Sequence, residues 1–455
     1  MANFDFAHWQ NRIDELRANN HVPGASLAVL VNDEIHELAS GILHRGTGVR
    51  VTTDSVFQVG SITKVHTATM VMKLVESGEL DLDAPVIDVL PEFETADKIA
   101  TKTITIRQLL SHTSGLTCDF THDTGRGDDC LALYIEASKN IALDCPPGRT
   151  ISYSSVGYNV LGRIIEVVTG QTWDNALKDR LCTPLGLNRT VTLPEDVLRF
   201  RSAIGHIGLP GQEPEPCPTW NPLPRSSGPY GGVLCASAAD IVQLAKMHLD
   251  GGIASDGTHF LKSETVSAMQ TREVNCVDKW TFSSDGWGLG WALYDWDGVF
   301  GFGHDGATIG QYGFLRVAPE SGVAIVLLTN GGGAQQLYSS LFKELLNELA
   351  GIKMRDSFAP PKKTISVDFK PFIGSYKREG IVISITERNG KPYFVGEFVD
   401  GMKGFAPPLE TNLVPVSDTA FAAFFGENWL PVVFSTFSDG TEFVLLGMRV
   451  AQKIK

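Results

Sequence analysis

Apolar residues recur at helical spacing between Ile62 and Val75 in the stretch VGSITKVHTATMVMKLVESG, with a glycine at either margin. The pattern predicts a core helix that opens near Ser61 and stops at Gly78. Upstream, Phe6, Trp9, Ile13 and Leu16 set a first helix, and SLAVLV and EIHELASG, parted by Asn32-Asp33, read as a hairpin. Downstream come a proline-punctuated surface passage, LDLDAPVIDVLPEF, and a short helix in TIRQLLSHTSGL, whose His112 is expected to cap helix-end carbonyls. From Asp128 to Leu187 the pattern is helical but for the loop CPPGRTISYSS. VGYNVLGRIIEVVTG is the helix after that loop, so Tyr153 and Ser155 fall at its entrance.

Residues 205 to 230 are rich in proline and predict a long flap or rim, and two helical stretches follow around 238 to 250 and 262 to 270. GWGLGWALY, GVFGFGHDGATIGQYGFLRV and GVAIVLLTN then read as strands with tight glycine turns, the last apolar enough for a central strand, and a helix spans about 335 to 350. A sheet assembled from both ends of this region, with helices inserted between, is α/β in the α+β sense. Past Gly351 the composition shifts, and the expected organisation is a domain over 1–351, a proline- and lysine-rich linker over 352–365 and a second unit over 366–455. That unit alternates apolar and polar residues between frequent turns, which predicts a small antiparallel barrel or sandwich.

Composition narrows the class. With 43% hydrophobic and 20% charged residues, the 455-residue chain has material for a sizeable core. Its net charge of -14 argues against nucleic acid or an anionic membrane as partner. The first twenty residues lack a basic segment followed by an apolar run, no stretch reaches transmembrane length, and a cytoplasmic location is expected. Seven cysteines, odd in number and without Cys-x-x-Cys spacing, read as free buried thiols rather than a disulfide or zinc framework.

Within the core helix, Lys64 follows Ser61 by three residues, so both side chains share one face of one turn. An ammonium is costly to bury unpaired, and a lysine that sheds its proton beside a serine hydroxyl is a general base beside a nucleophile. The spacing alone is weak, because Ser340 and Lys343 repeat it in an ordinary amphipathic helix.

Two further signals follow in order: Tyr153-Ser-Ser155 and His304-Asp-Gly306. With LLSHTSGL and GLGW they resemble the penicillin-recognising serine hydrolases, in the class C β-lactamase-like branch of esterases, D-peptidases and acyltransferases, over residues 20 to 350. Tyr338-Ser-Ser340 and His206-Ile-Gly208 match the short patterns but not the family's order. The resemblance implies an antiparallel sheet flanked by helices with an all-helical insertion. It implies Ser61 as acylated nucleophile, Lys64 as its base, Tyr153 in proton transfer to the leaving group, and His304 either assisting Tyr153 or orienting the substrate. The backbone N–H groups of Ser61 and Ala307 would form the oxyanion hole. Ser155, Gly306, Tyr230 and Trp287 complete the set as substrate-binding residues. A tyrosine base needs its phenol deprotonated near neutral pH, which a cationic Lys64 would favour.

Ser155 stands where β-lactamases carry asparagine, and His304-Asp305 where they carry lysine-threonine, a poorer clamp for a carboxylate. β-Lactam hydrolysis is therefore not the expected main activity. The segment DFKPFIGSYKREG resembles the opening of the lipocalin-like barrel attached to some of these hydrolases, a layout shared with penicillin-binding-protein-type thioesterases that cyclise peptides. The expected function is a serine hydrolase without metal or cofactor, acting on an ester or amide of a small molecule or peptide. An acyltransferase or peptide cyclase would use the same residues, and a catalytically silent ligand-binding protein is the alternative of another class.

Overall fold

SLAVLV near the start of the chain and VAIVLLT far along it become neighbouring strands. The computed structural model describes residues 4–454 apart from positions 210, 364, 405 and 427. Its main sheet has eight strands: β1 (Gly24–Val31), β2 (Glu34–Gly41), β3 (Val274–Asn275), β4 (Gly286–Trp287), β5 (Ala292–Trp296), β6 (Val299–Thr308), β7 (Gln311–Ala318) and β8 (Val323–Thr329). Their spatial order is β2-β1-β8-β7-β6-β5-β4-β3, antiparallel throughout. β1 pairs with β8 from Ala25 opposite Thr329 to Leu30 opposite Ala324, so the sheet is closed by both ends of the domain, as the apolar runs predict.

Strand alternation sorts the core into two layers. Ala25, Leu27 and Val29 of β1 pack with Trp9, Ile13 and Leu16 of α1 (Phe6–Asn19) and with Leu337 and Leu341 of the helix after β8, Ala334–Ala350. Ala28 and Leu30 face the other way, onto a cluster that holds Val65 and Ala68 of α2 (Thr63–Glu76), Ile164 of α3 (Val156–Thr169) and Ile241 of α4 (Ala238–Leu249). α3 ends as its sequence predicts, on Gly170 in the left-handed region. The helix after β8 is α5.

The proline-rich segment departs from expectation. Its end is not a loose rim but a helical turn over Arg225–Tyr230, with Ser226 to Pro229 buried. Pro229 packs so closely on α3 that a Cβ at Gly162 would lie 2.2 Å from its ring.

The tail forms a closed barrel of eight antiparallel strands, β9 (Gly374–Arg378), β10 (Ile381–Arg388), β11 (Lys391–Phe398), β12 (Leu409–Pro415), β13 (Ala420–Phe425), β14 (Asn428–Thr436), β15 (Glu442–Leu446) and β16 (Arg449–Lys453). Tyr376, Ile383, Phe394, Phe421 and Phe434 fill its interior. A second apolar cluster joins Val433, Phe443, Leu445 and Val450 of the barrel to Cys145 and Trp280 of the sheet domain, so the two units share a buried seam. Among the described residues no helix is long and apolar enough to cross a membrane, and all seven cysteines are unbonded and buried.

Candidate active site

Ser61 does not sit in the α-helix itself. It lies in a tighter helical turn, Gly60–Ile62, that leads into α2. That turn is wedged against β6: a Cβ on Gly60 would stand 2.3 Å from the Ala307 nitrogen, and one on Gly306 would stand 2.7 Å from the Ser61 nitrogen. Gly60 also has a φ of +54°, which a side chain rarely adopts. The two glycines thus let the strand and the turn close on each other, and the amides of Ser61 and Ala307 meet at that seam.

Lys64 is fully buried, with Nζ 3.1 Å from Ser61 Oγ and 2.9 Å from the carbonyl oxygen of Tyr230. Its nitrogen stands 4.7 Å from the ring centre of Tyr153 and 5.4 Å from that of Tyr230. Burial lowers the amine from its ordinary value to about 7, with the Cys118 thiol opposing and the Arg449 cation assisting. A neutral Nζ can donate to Tyr230 and accept from the Ser61 hydroxyl at once, which is the arrangement of a base ready to act.

Tyr153 departs from the phenolate expectation. Its side chain is 3% exposed, its hydroxyl makes no well-formed hydrogen bond among the described residues, and burial pushes the phenol well above its ordinary value, with the nearby Ser61 hydroxyl only partly offsetting this. Desolvation outweighs the pull of Ser61 and Arg449, so the phenol keeps its proton at neutral pH, and of the two groups only Lys64 is placed to accept one.

His304 is buried with its ring 6.2 Å from that of Tyr153. Nδ1 lies 2.6 Å from the carbonyl oxygen of Asp305. A carbonyl only accepts, so Nδ1 carries the proton and Nε2 presents its lone pair. Burial, then Lys64, lowers the imidazole to about 3, so it stays neutral in ordinary buffers. Ser155 is buried at the start of α3, 3.3 Å from the Cys118 thiol.

Trp287, expected to bind substrate, is 0% exposed and packs edge-on against Tyr153, His304 and His112 instead. It holds those rings in place from behind. His112 departs too, for it does not cap carbonyls. Its Nδ1 accepts from the Ser154 amide at 3.0 Å, and its ring lies 4.3 Å from that of Tyr153. The decoy motifs remain apart from this cluster. Lys343 pairs with Asp356, Tyr338 stacks on Phe314, and His206 bonds the Asn330 carbonyl.

The residue that sequence reasoning missed comes from the barrel. β15 and β16 are joined by a two-residue turn, Gly447 and Met448, both with positive φ, as tight hairpins require. Met448 is an unusual occupant of that conformation, and its complete burial in the core of the sheet domain offsets the cost. The Met448 carbonyl accepts from the Tyr153 amide, and the Val450 amide donates to Ser152. Arg449 follows, with its guanidinium 5.8 Å from the centre of the Tyr153 ring and 3.7 Å from the Asp119 carboxylate. Burial alone would raise the Cys118 thiol, but Arg449 and Lys64 bring it below its ordinary value. No local motif marks Arg449. The positive-φ turn Gly447-Met448 is the one sequence feature near it, and it reads as an ordinary hairpin.

The beta-lactamase family model matches residues 9–346. Penicillin-binding protein 4 of Amycolatopsis lactamdurans is 59% identical over 377 residues, which are 83% of this chain and 99% of that protein. Among solved structures, SurE superposes with a TM-score of 0.80 at 27% identity over 98% of both chains, and a second SurE structure contains D-Leu. The octameric penicillin-binding protein homologue of Pyrococcus abyssi has a TM-score of 0.65 at 22% identity over 99% of this chain and 100% of its own, a likeness of fold.

Proposed function

Because the chain belongs to the beta-lactamase family, whose members include serine hydrolases, we propose that it cleaves an ester or amide bond through an acyl-enzyme on Ser61. The contact between Lys64 Nζ and Ser61 Oγ, with the amine held near neutral by burial, carries this reading. In the proposed sequence Nζ takes the hydroxyl proton as Oγ bonds to the substrate carbonyl carbon. The negative charge that develops on the carbonyl oxygen is met by the Ser61 and Ala307 amides, each worth about 3 kcal/mol when well placed. The leaving group departs with a proton from the Tyr153 phenol, which Lys64 replaces. Water or an amine then attacks the ester, with the same groups working in reverse.

His304-Asp305 argues against a β-lactam as the main substrate. Asp305 brings a carboxylate where a carboxylate-binding group would be needed, and Arg316 is already committed to it through two hydrogen bonds. Transfer to an amine is the second reading. It is favoured by the barrel hairpin seated over Tyr153, which screens that side of the site from water. SurE, similar over nearly the whole chain, has been solved with D-Leu, so D-configured amino acids are the first acceptors to try.

Incubation with a fluorophosphonate, followed by intact mass, tests the reading together with turnover of a chromogenic butyryl ester. One adduct on Ser61 and ester turnover are expected, both lost in Ser61→Ala. A folded sample that forms no adduct favours the silent binding protein instead.

A further inference from the structure

Beside the catalytic cluster lies a cavity of about 560 Å³ that the proposed chemistry has not used. Trp280, Phe282, Trp296, Tyr312, Phe358 and Trp429 supply aromatic wall from three sources: the sheet domain, the connection to the barrel, and the barrel strand β14. Cavities of this size and lining bind small organic groups. Phe282 is the shared partition, since its ring is 5.2 Å from that of Tyr153 and 6.3 Å from that of His304. Asp305, between His304 and Gly306, also lines the space, and Tyr312 of the wall pairs in register with Ala307.

The charged groups at the wall are already engaged: Arg355 donates to the Asp285 carboxylate and the Asp295 carbonyl oxygen, and Asp356 accepts from Lys343. Arg316 is 2% exposed, bound through both terminal nitrogens to the Asp305 carboxylate and sandwiched between the rings of Tyr294 and Tyr338. Its charge is already matched, so it contributes a flat, neutralised surface. The aromatic wall faces a polar one that includes Gln335, Gln336, Ser339 and Asn428, and the buried Tyr294 hydroxyl has no partner among the described residues, so an occupant would find an apolar side and a hydrogen-bonding side.

The position relative to Tyr153 assigns the cavity's side. The group that protonates a departing atom must face it, and by microscopic reversibility an incoming acceptor enters where the leaving group left. Neither Tyr153 nor His304 lines the cavity; it meets them across the Phe282 ring and touches the strand of the site directly at Asp305. Resting on the serine acylation reading above, we infer that this chamber is the leaving-group and acceptor subsite, and that it selects an aromatic or large aliphatic group over a small one or a free carboxylate.

Two matched ester pairs read this directly on the full-length chain. Propyl acetate and 3-phenylpropyl acetate differ only in the size of the alcohol, whose acidity is nearly constant, while methyl butyrate and methyl 4-phenylbutyrate differ only in the acyl group. The 3-phenylpropyl ester is expected to have a kcat/KM about tenfold higher or more than the propyl ester, the usual gain for seating a phenyl group in an apolar pocket. Phe358→Ala and Trp429→Ala should each bring that ratio to within about threefold, and a ratio is insensitive to the fraction of active protein. Equal rates for the two acetates in the wild-type chain, or selectivity confined to the acyl pair, would overturn the assignment whether or not the variants fold. Fluorophosphonate labelling of Ser61 in the same sample separates the two readings. Labelling with flat alcohol selectivity removes only the chamber, whereas absence of labelling removes the serine chemistry and the chamber with it.

Discussion

Two cations lie fully buried in the sheet domain, and they end in opposite states. Arg316 on β7 is met by Asp305 through two hydrogen bonds, and although burial works against its charge, the carboxylate and the two flanking phenols hold it protonated. Lys64 on α2 has no carboxylate against it, only a carbonyl oxygen, a hydroxyl and aromatic faces, and with the Cys118 thiol opposing only in part, desolvation brings it to about 7. The same burial yields a structural ion pair in one place and a base in the other, and the difference is one carboxylate.

The largest expected effect falls on the paired cation. Arg316→Met leaves the Asp305 carboxylate without its partner, and removal of one member of a buried pair costs about 3–5 kcal/mol. Thermal or urea unfolding should therefore show a large loss of stability. A double variant, Arg316→Met with Asp305→Asn, should recover much of it. If the single variant unfolds like the wild type, Arg316 is not doing the work assigned to it.

Lys64 should respond the other way. Lys64→Met is expected to lower the second-order rate of fluorophosphonate labelling about 10²-fold or more, the usual contribution of a general base. Its unfolding midpoint should stay close to that of the wild type, because no charge pair is broken. A Lys64 variant that labels at the wild-type rate would move the base elsewhere, with His304 the next candidate.

How much of this contrast could be read from the residues follows from its range. Ser61 and Lys64 are one turn apart, so their meeting is a property of helix geometry, and Tyr153 and His304 were found because motif order stood in for distance. The approach of Gly60 to Gly306 was not read from the residues; glycine at both places permits it, but only the packed sheet brings the turn and the strand together. Nor was Arg449, because it reaches Tyr153 only after the barrel closes and docks. Trp287 was misassigned for a related reason. A tryptophan beside glycines signals a place near the site, but only packing tells whether it faces substrate or supports the catalytic rings.

The state of Lys64 can also be followed by pH. Its neutral form is the reactive one, so labelling of Ser61 should rise with pH through about 7 and level off above. His304 titrates near 3 and adds no limb in this range. A rate that falls as pH rises through 7 would require the protonated amine instead.

The smallest effect comes from the barrel and asks whether it tunes Lys64 or merely braces the site. Lys64 faces Cys118, Tyr153, Tyr158, Tyr230, His112 and His304, and Arg449 adds a cation that makes a second positive charge there less favourable. Arg449→Gln removes that repulsion but also weakens the pull that keeps the Cys118 thiol low, and a neutral thiol stabilises the lysine cation less. The first change raises the lysine and the second lowers it, so the two oppose and the acidic limb is expected to move by no more than about one pH unit in either direction. Arg449→Lys keeps the charge and should keep the limb in place even if the rate falls. A limb that stays near 7 in both variants, with a lower plateau in each, would mean that Arg449 acts by holding the hairpin against Tyr153 and that burial alone sets the amine.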